Sequence, residues 1–132
     1  MQIEWLILAD SAQVVGNKLF LLGGGWDRLT MKRGFPAPHA LAVALSFRVP
    51  WNETNQKHSF KVVILNADGK QLAEFGGQLE VGRPAGIPAG QDQRVQAAVN
   101  VNMRFEAAGT YEVVASVGEE ESARTIFNVV GG

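Results

Sequence analysis

The stretch RVQAAVNVNMRF, residues 94–105, alternates almost from end to end. Val95, Ala97, Val99, Val101, Met103 and Phe105 fall on one side, and Arg94, Gln96, Ala98, Asn100, Asn102 and Arg104 on the other. A period of two gives one apolar and one wet face, which is the pattern of an antiparallel strand buried on a single side. No stretch of ten residues repeats its apolar positions at helical spacing. The six residues DSAQVV, 10–15, allow at most one helical turn, capped by Asp10 or Ser11.

A second segment, ALAVALSFRV at 40–49, alternates by size. Leu41, Val43, Leu45, Phe47 and Val49 share one face, and Ala40, Ala42, Ala44, Ser46 and Arg48 share the other. Large side chains suit a core, whereas a row of alanines leaves room for a close approach. Further strands are expected over residues 2–9, 18–23, 25–30, 58–66, 71–81, 110–117 and 123–130. Turn chemistry separates them: Gly16-Asn17, Asp68-Gly69, and the charged tip GEEES from Gly118. Eight or nine short strands at this spacing predict an all-β, two-sheet antiparallel sandwich, immunoglobulin-like or jelly-roll-like, forming one domain over residues 1–132. A closed barrel is the alternative. The predicted core is Leu41, Val43, Leu45, Phe47, Val95, Val99, Val101, Phe105, Tyr111, Val113 and Phe127.

With 132 residues, 46% of them apolar, the chain can bury a real core. It has no cysteine, which excludes thiol catalysis and Cys-ligated zinc. A net charge of −1 without a basic stripe argues against nucleic acid as a partner. The opening MQIEWLILAD lacks a basic segment, and Glu4 and Asp10 break its apolar run. No run reaches the ~18 residues that span a bilayer, so the expectation is a soluble, cytoplasmic protein with no membrane partner.

The glycine triplet in GNKLFLLGGGWDRL, residues 16–29, invites a phosphate-loop reading. Such a loop needs a following helix whose amides face the anion, and WDRLTM supplies none. A bend or bulge in a strand is expected instead. His39 and His58 stand nineteen positions apart without a carboxylate set around them, so no metal is expected. Glu119–Glu121 reads as a solvated hairpin tip. Asn52-Glu53-Thr54 fits a glycosylation acceptor, a match of little weight without a signal peptide. The segment VGRPAGIPAGQDQR, 81–94, echoes itself in Arg83-Pro-Ala-Gly86 and Ile87-Pro-Ala-Gly90. Its prolines rule out an interior strand, leaving a crossover between sheets or a binding loop. No nucleophile–base pair emerges, so neither catalysis nor a cofactor is expected.

The apolar first strand ending in Ala9-Asp10, then GNKLFLLGGGWDRL, Phe35-Pro36, LNADGKQL and the closing FEAAGTYEVVASV…FNVV resemble a family of small bacterial proteins of unknown function. The likeness spans nearly the whole chain and implies a β-sandwich without catalytic residues to carry over. The closing hairpin is also similar to that of immunoglobulin-like sandwiches, where Gly109 and Tyr111 would build a tyrosine corner.

The leading functional expectation is a non-catalytic module acting through protein contact, as a homo-oligomer. IEWLILA sends Ile3, Trp5 and Ile7 one way and Leu6 and Leu8 the other; FKVVIL sends Val63 and Leu65 away from Phe60, Val62 and Ile64. If these runs are neighbours in one sheet, Leu6, Leu8, Val63 and Leu65 form an apolar self-association patch. Coverage by the 82–93 loop is the alternative. The rival function is a small-molecule or carbohydrate site, its ligand unknown, using Trp26, Trp51, Arg83 and Asp92. Trp5, within an apolar strand, is assigned to the core.

Overall fold

The computed structural model describes the backbone of residues 1–132 and every side chain except that of Ser122. Its strands are β1 (Gln2–Val15), β2 (Lys18–Gly24), β3 (Arg28–Met31), β4 (Ala37–Val49), β5 (Lys57–Leu65), β6 (Gln71–Glu80), β7 (Gln93–Phe105), β8 (Gly109–Val117) and β9 (Glu120–Gly131). They form a four-stranded sheet ordered β2-β1-β4-β7 and a five-stranded sheet ordered β3-β9-β8-β5-β6. The two sheets pack face to face, so the chain is an all-β sandwich, with the second sheet curled. Only β3 runs parallel to its neighbour, β9. The segment 10–15 continues β1 as strand and makes no helical turn.

Between the sheets lie the fully buried Leu41, Val43, Leu45 and Phe47 of β4, Val62 and Ile64 of β5, Phe105, Val113 and Phe127. Phe105 meets Tyr111 edge-on at 5.0 Å between ring centres, and Tyr111 stacks on Phe127 at 5.6 Å. The Tyr111 hydroxyl donates to the Ala107 carbonyl at 2.6 Å, closing the tyrosine corner expected from Gly109 and Tyr111. Met103 is buried here, whereas Val95, Val99 and Val101 are only partly buried because β7 is an edge strand.

Two irregularities in the first hairpin redirect everything outside this core. The first is a bulge at Glu4, where the register with β4 shifts between Ile3 and Trp5. Ile3 pairs with Phe47, Leu6 with Leu45 and Leu8 with Val43, all on the inner face. Trp5, Ile7 and Ala9 pair with Ser46, Ala44 and Ala42 on the outer face. One extra residue therefore moves Ile3 to the side of Leu6 and Leu8 and turns Trp5 outward, against the expectation from strict alternation.

The second irregularity is a corner at Asp10 and Gly23. Gly23 has φ +60°, and a Cβ there would collide with Asp10 Oδ2. Beyond this corner Ala12, rather than Ser11, joins Ala9 in a small cluster with Ala42 and Ala44, roofed by Trp5, Leu19 and Leu21. The rest of the hairpin is an arm folded across the outer face of its own sheet. A two-residue turn closes it, Gly16 and Asn17 having φ of +59° and +58°. The glycine triplet is thus a bend, with Gly23 and Gly25 as its left-handed residues; Gly24 is not one of them.

The alanine face is accordingly covered by the arm and not by the 82–93 loop. That segment leaves β6 of one sheet and enters β7 of the other, the crossover expected of it. Each Pro-Ala-Gly repeat makes a tight turn, Ile87 N–H to Pro84 O at 3.3 Å and Gln91 N–H to Pro88 O at 3.2 Å. The two apolar runs of the proposed patch also lie in different sheets, β1 in one and β5 in the other.

Phe47→Ala or Phe105→Ala should each lower unfolding free energy by about 3–5 kcal/mol, since strands cannot close around the vacated ring. Gly23→Val should cost about 1–3 kcal/mol through its left-handed backbone and the Asp10 contact, more than Gly24→Ala. Urea denaturation of the variants measures both.

Candidate interaction surface

The arm has a covered side and a wet side. Ala12, Val14, Leu19 and Leu21 lie on the covered side, buried or half-buried. Ser11, Gln13 and Val15 of β1 and Lys18, Phe20 and Leu22 of β2 lie on the wet side. The cross-strand pairs agree: Ser11 with Leu22, Gln13 with Phe20, Val15 with Lys18. Val15 is 53% exposed, Phe20 57% and Leu22 71%, and only Ile126 among the other described large apolar residues is comparably bare, at 50%. A run apolar on both faces has one face to spend on its own fold. The other is left in water.

Polar side chains fasten the arm down. Asn100 of β7 bridges to β1 beyond the reach of β4: its amide donates to Ala12 O at 2.8 Å and its Oδ1 accepts from Ala12 N–H at 3.2 Å. At the tip, Asn17 Nδ2 donates to Arg94 O at 3.1 Å and Gln96 Nε2 donates to Asn17 O at 2.9 Å. Next to these bonds the bulged Glu4 accepts from Arg94 Nε at 2.6 Å, Ser46 Oγ at 2.8 Å and Arg48 Nη2 at 2.8 Å. The Arg94 guanidinium, then the Ser46 hydroxyl and Arg48, hold the Glu4 carboxyl down at about 2 against partial burial. Neither this cluster nor the arm follows from alternation alone. The signals were present, a Glu inside an apolar strand and LFLL without alternation.

The expected patch does not assemble. Leu8 is buried in the core and Leu6 packs against it. Val63 and Leu65 lie half-buried on the outer side of the other sheet, Val63 between Glu74 and Val114, and Leu65 beside Glu112. Arg124 pairs there with both Glu112 and Glu121, so charge interrupts the apolar surface.

The expected ligand residues divide. Trp51, in a short 3-10 turn after β4, and Arg83 do meet: the guanidinium carbon lies 3.8 Å from the ring centre. Arg83 Nε also donates to Thr54 Oγ1 at 2.7 Å and its Nη2 to Trp51 O at 3.0 Å. This ties down the crossover and occupies one face of the indole. Trp26 is far from them. It packs edge-on against Phe127 at 5.7 Å, near the start of β4, and its Nε1 is buried without a hydrogen-bond partner. Trp5, assigned to the core, sits under the arm. Asp92 is exposed at the far end of the crossover. His39 and His58 stand at the starts of β4 and β5, with His58 Nε2 2.8 Å from Glu53 O. No group of three potential metal-ligating side chains occurs among the described residues. No helix among the described residues is long and apolar enough to cross a membrane.

Residues 4–130 match a family of unknown function, DUF6941. No curated protein matches the chain.

The Glu4 cluster generates a pH dependence. Its folded value, about 2, lies below the ordinary 4.5, so its contribution is complete above pH 4.5 and is lost as pH falls from 4.5 through 2. Glu4→Gln should cost about 1–2 kcal/mol at pH 7, a modest figure because Arg94 is half exposed. The variant's stability should also fall less steeply than that of the wild type across this window, as followed by thermal melts.

Proposed function

The chain belongs to the DUF6941 family of unknown function, and we propose that it is a non-catalytic β-sandwich module that works through protein contact, by self-association. The observation that carries this reading is the wet side of the arm. Val15, Phe20 and Leu22 lie together there, three of the four most exposed large apolar side chains among the described residues. A contiguous apolar patch of roughly a few hundred Å2 is near the largest that a typical monomer exposes, and such patches often serve in contact. A bacterial, cytoplasmic setting is part of the proposal; it draws on the resemblance of the sequence. The small-molecule reading has weaker support, because Arg83 covers Trp51 and Phe127 covers Trp26.

Light scattering at about 50 μM should give a mass above one chain. Phe20→Ser combined with Leu22→Ser should weaken association at least tenfold while leaving the circular-dichroism spectrum unchanged. Leu8→Lys should instead unfold the protein, because that side chain is in the core. A monomeric wild type across this range would remove the proposal.

A further inference from the structure

We propose that the second copy binds by strand addition: β2 of one molecule pairs antiparallel with β2 of another, Phe20 facing Phe20 across a two-fold axis. The inference rests on the self-association reading and specifies its geometry.

The direction of the backbone groups on the arm points to a strand as the occupant. In a hairpin closed by a two-residue turn, the residues flanking the turn exchange both backbone hydrogen bonds, and every second pair does the same. Here those pairs are Val15 with Lys18, Gln13 with Phe20 and Ser11 with Leu22. The intervening residues, Ala12 and Val14 on β1 and Leu19 and Leu21 on β2, direct their N–H and C=O groups away from the hairpin. On the β1 side this is visible, because both backbone groups of Ala12 are taken by the Asn100 amide. On the β2 side Leu19 and Leu21 end the sheet.

That edge lacks the usual protections. β3 is only four residues long, β6 carries Gly76 and Gly77 with Glu74 and Glu80, and β7 carries Arg94, Asn100, Asn102 and Arg104. β2 has no proline, and its one charge, Lys18, is at its start.

A second β2 supplies the complementary row. With Leu19 opposite the partner's Leu21, and the reverse, each pair exchanges two backbone hydrogen bonds using only extended residues and leaving the left-handed Gly23 outside the ladder. The pairs between them are of the non-hydrogen-bonded kind, where opposed side chains come closest. This sets Phe20 against the partner's Phe20, with Leu22 against the stem of the partner's Lys18. The two Lys18 ammonium groups then lie at opposite ends of the ladder, whereas a parallel arrangement would stack them. Three exposed apolar side chains on each copy make a small contact, so the dimer should be concentration-dependent.

The chain has no cysteine, so single introduced thiols report the register. Phe20→Cys and Leu22→Cys, each checked by circular dichroism, are oxidised at about 50 μM and the disulfide-linked dimer is followed with time. Random collision favours Leu22, the more exposed position. The proposed register favours Phe20, whose mate lies directly opposite, while two Leu22 residues stand four positions apart along the ladder. At least tenfold faster cross-linking at 20 than at 22 is expected. Hydrogen exchange of the unaltered protein should also show the Leu19 and Leu21 amides slowing as concentration rises. A wild-type dimer in which position 22 cross-links as fast, or in which those amides stay unprotected, would overturn strand addition and leave self-association standing. A monomer at every concentration would overturn both.

Discussion

β4 is dry on both sides, and the rest of the molecule is arranged around keeping it so. From Leu41 to Phe47 every residue is fully buried, those facing the other sheet and those facing away from it alike. A strand in a two-sheet sandwich normally has one wet face. Here the outward Ala42 and Ala44 are too small to fill space, and the nearest chain able to reach them is the continuation of β1. The corner at Asp10 and Gly23 bends that continuation over β4, and the alanines let its backbone come close. Size alternation along one strand thus sets two contacts at once, a thick one inside with Phe and Leu and a thin one outside with Ala.

The thin contact would be poor if it relied on area alone, since alanines bury little. Polar groups compensate. Asn100 satisfies both backbone groups of Ala12 as a neighbouring strand would, and Asn17 and Gln96 pin the tip. Glu4 gathers Ser46, Arg48 and Arg94 into one cluster linking β1, β4 and β7. Arg94, Gln96 and Asn100 occupy what strict alternation would treat as the solvent face of β7. Their role there is to receive the arm.

The sequence showed period two, the turns and the inner faces of β4 and β8 clearly, because those depend on local alternation and on residues such as Gly16-Asn17 whose backbone preference is intrinsic. It did not show the bulge at Glu4, since one unpaired residue reverses the assignment of Ile3 against Leu6 without changing composition. Strict alternation therefore puts Leu6 and Leu8 outside, whereas they belong inside. Val63 and Leu65 were joined to them because a single chain does not reveal which strands share a sheet. The meeting of Arg83 with Trp51 could be anticipated as chemistry but not as contact, for 31 intervening positions separate them. Phe20 and Leu22 are legible in LFLL as part of a run apolar on both faces, the same pattern as in IEWLILA and FKVVIL.

The fastening of the arm also has a kinetic meaning. Its contact with the sheet is made by alanines, Leu19, Leu21 and a few amides, while the sandwich beneath is closed by aromatic packing. Opening of the arm alone breaks few bonds and leaves both sheets paired, so it forms a unit of its own on the free-energy ladder between native and unfolded chain. Such a unit is expected to exchange its amides by sub-global excursions, on a clock set by Asn100 and Asn17 rather than by the core.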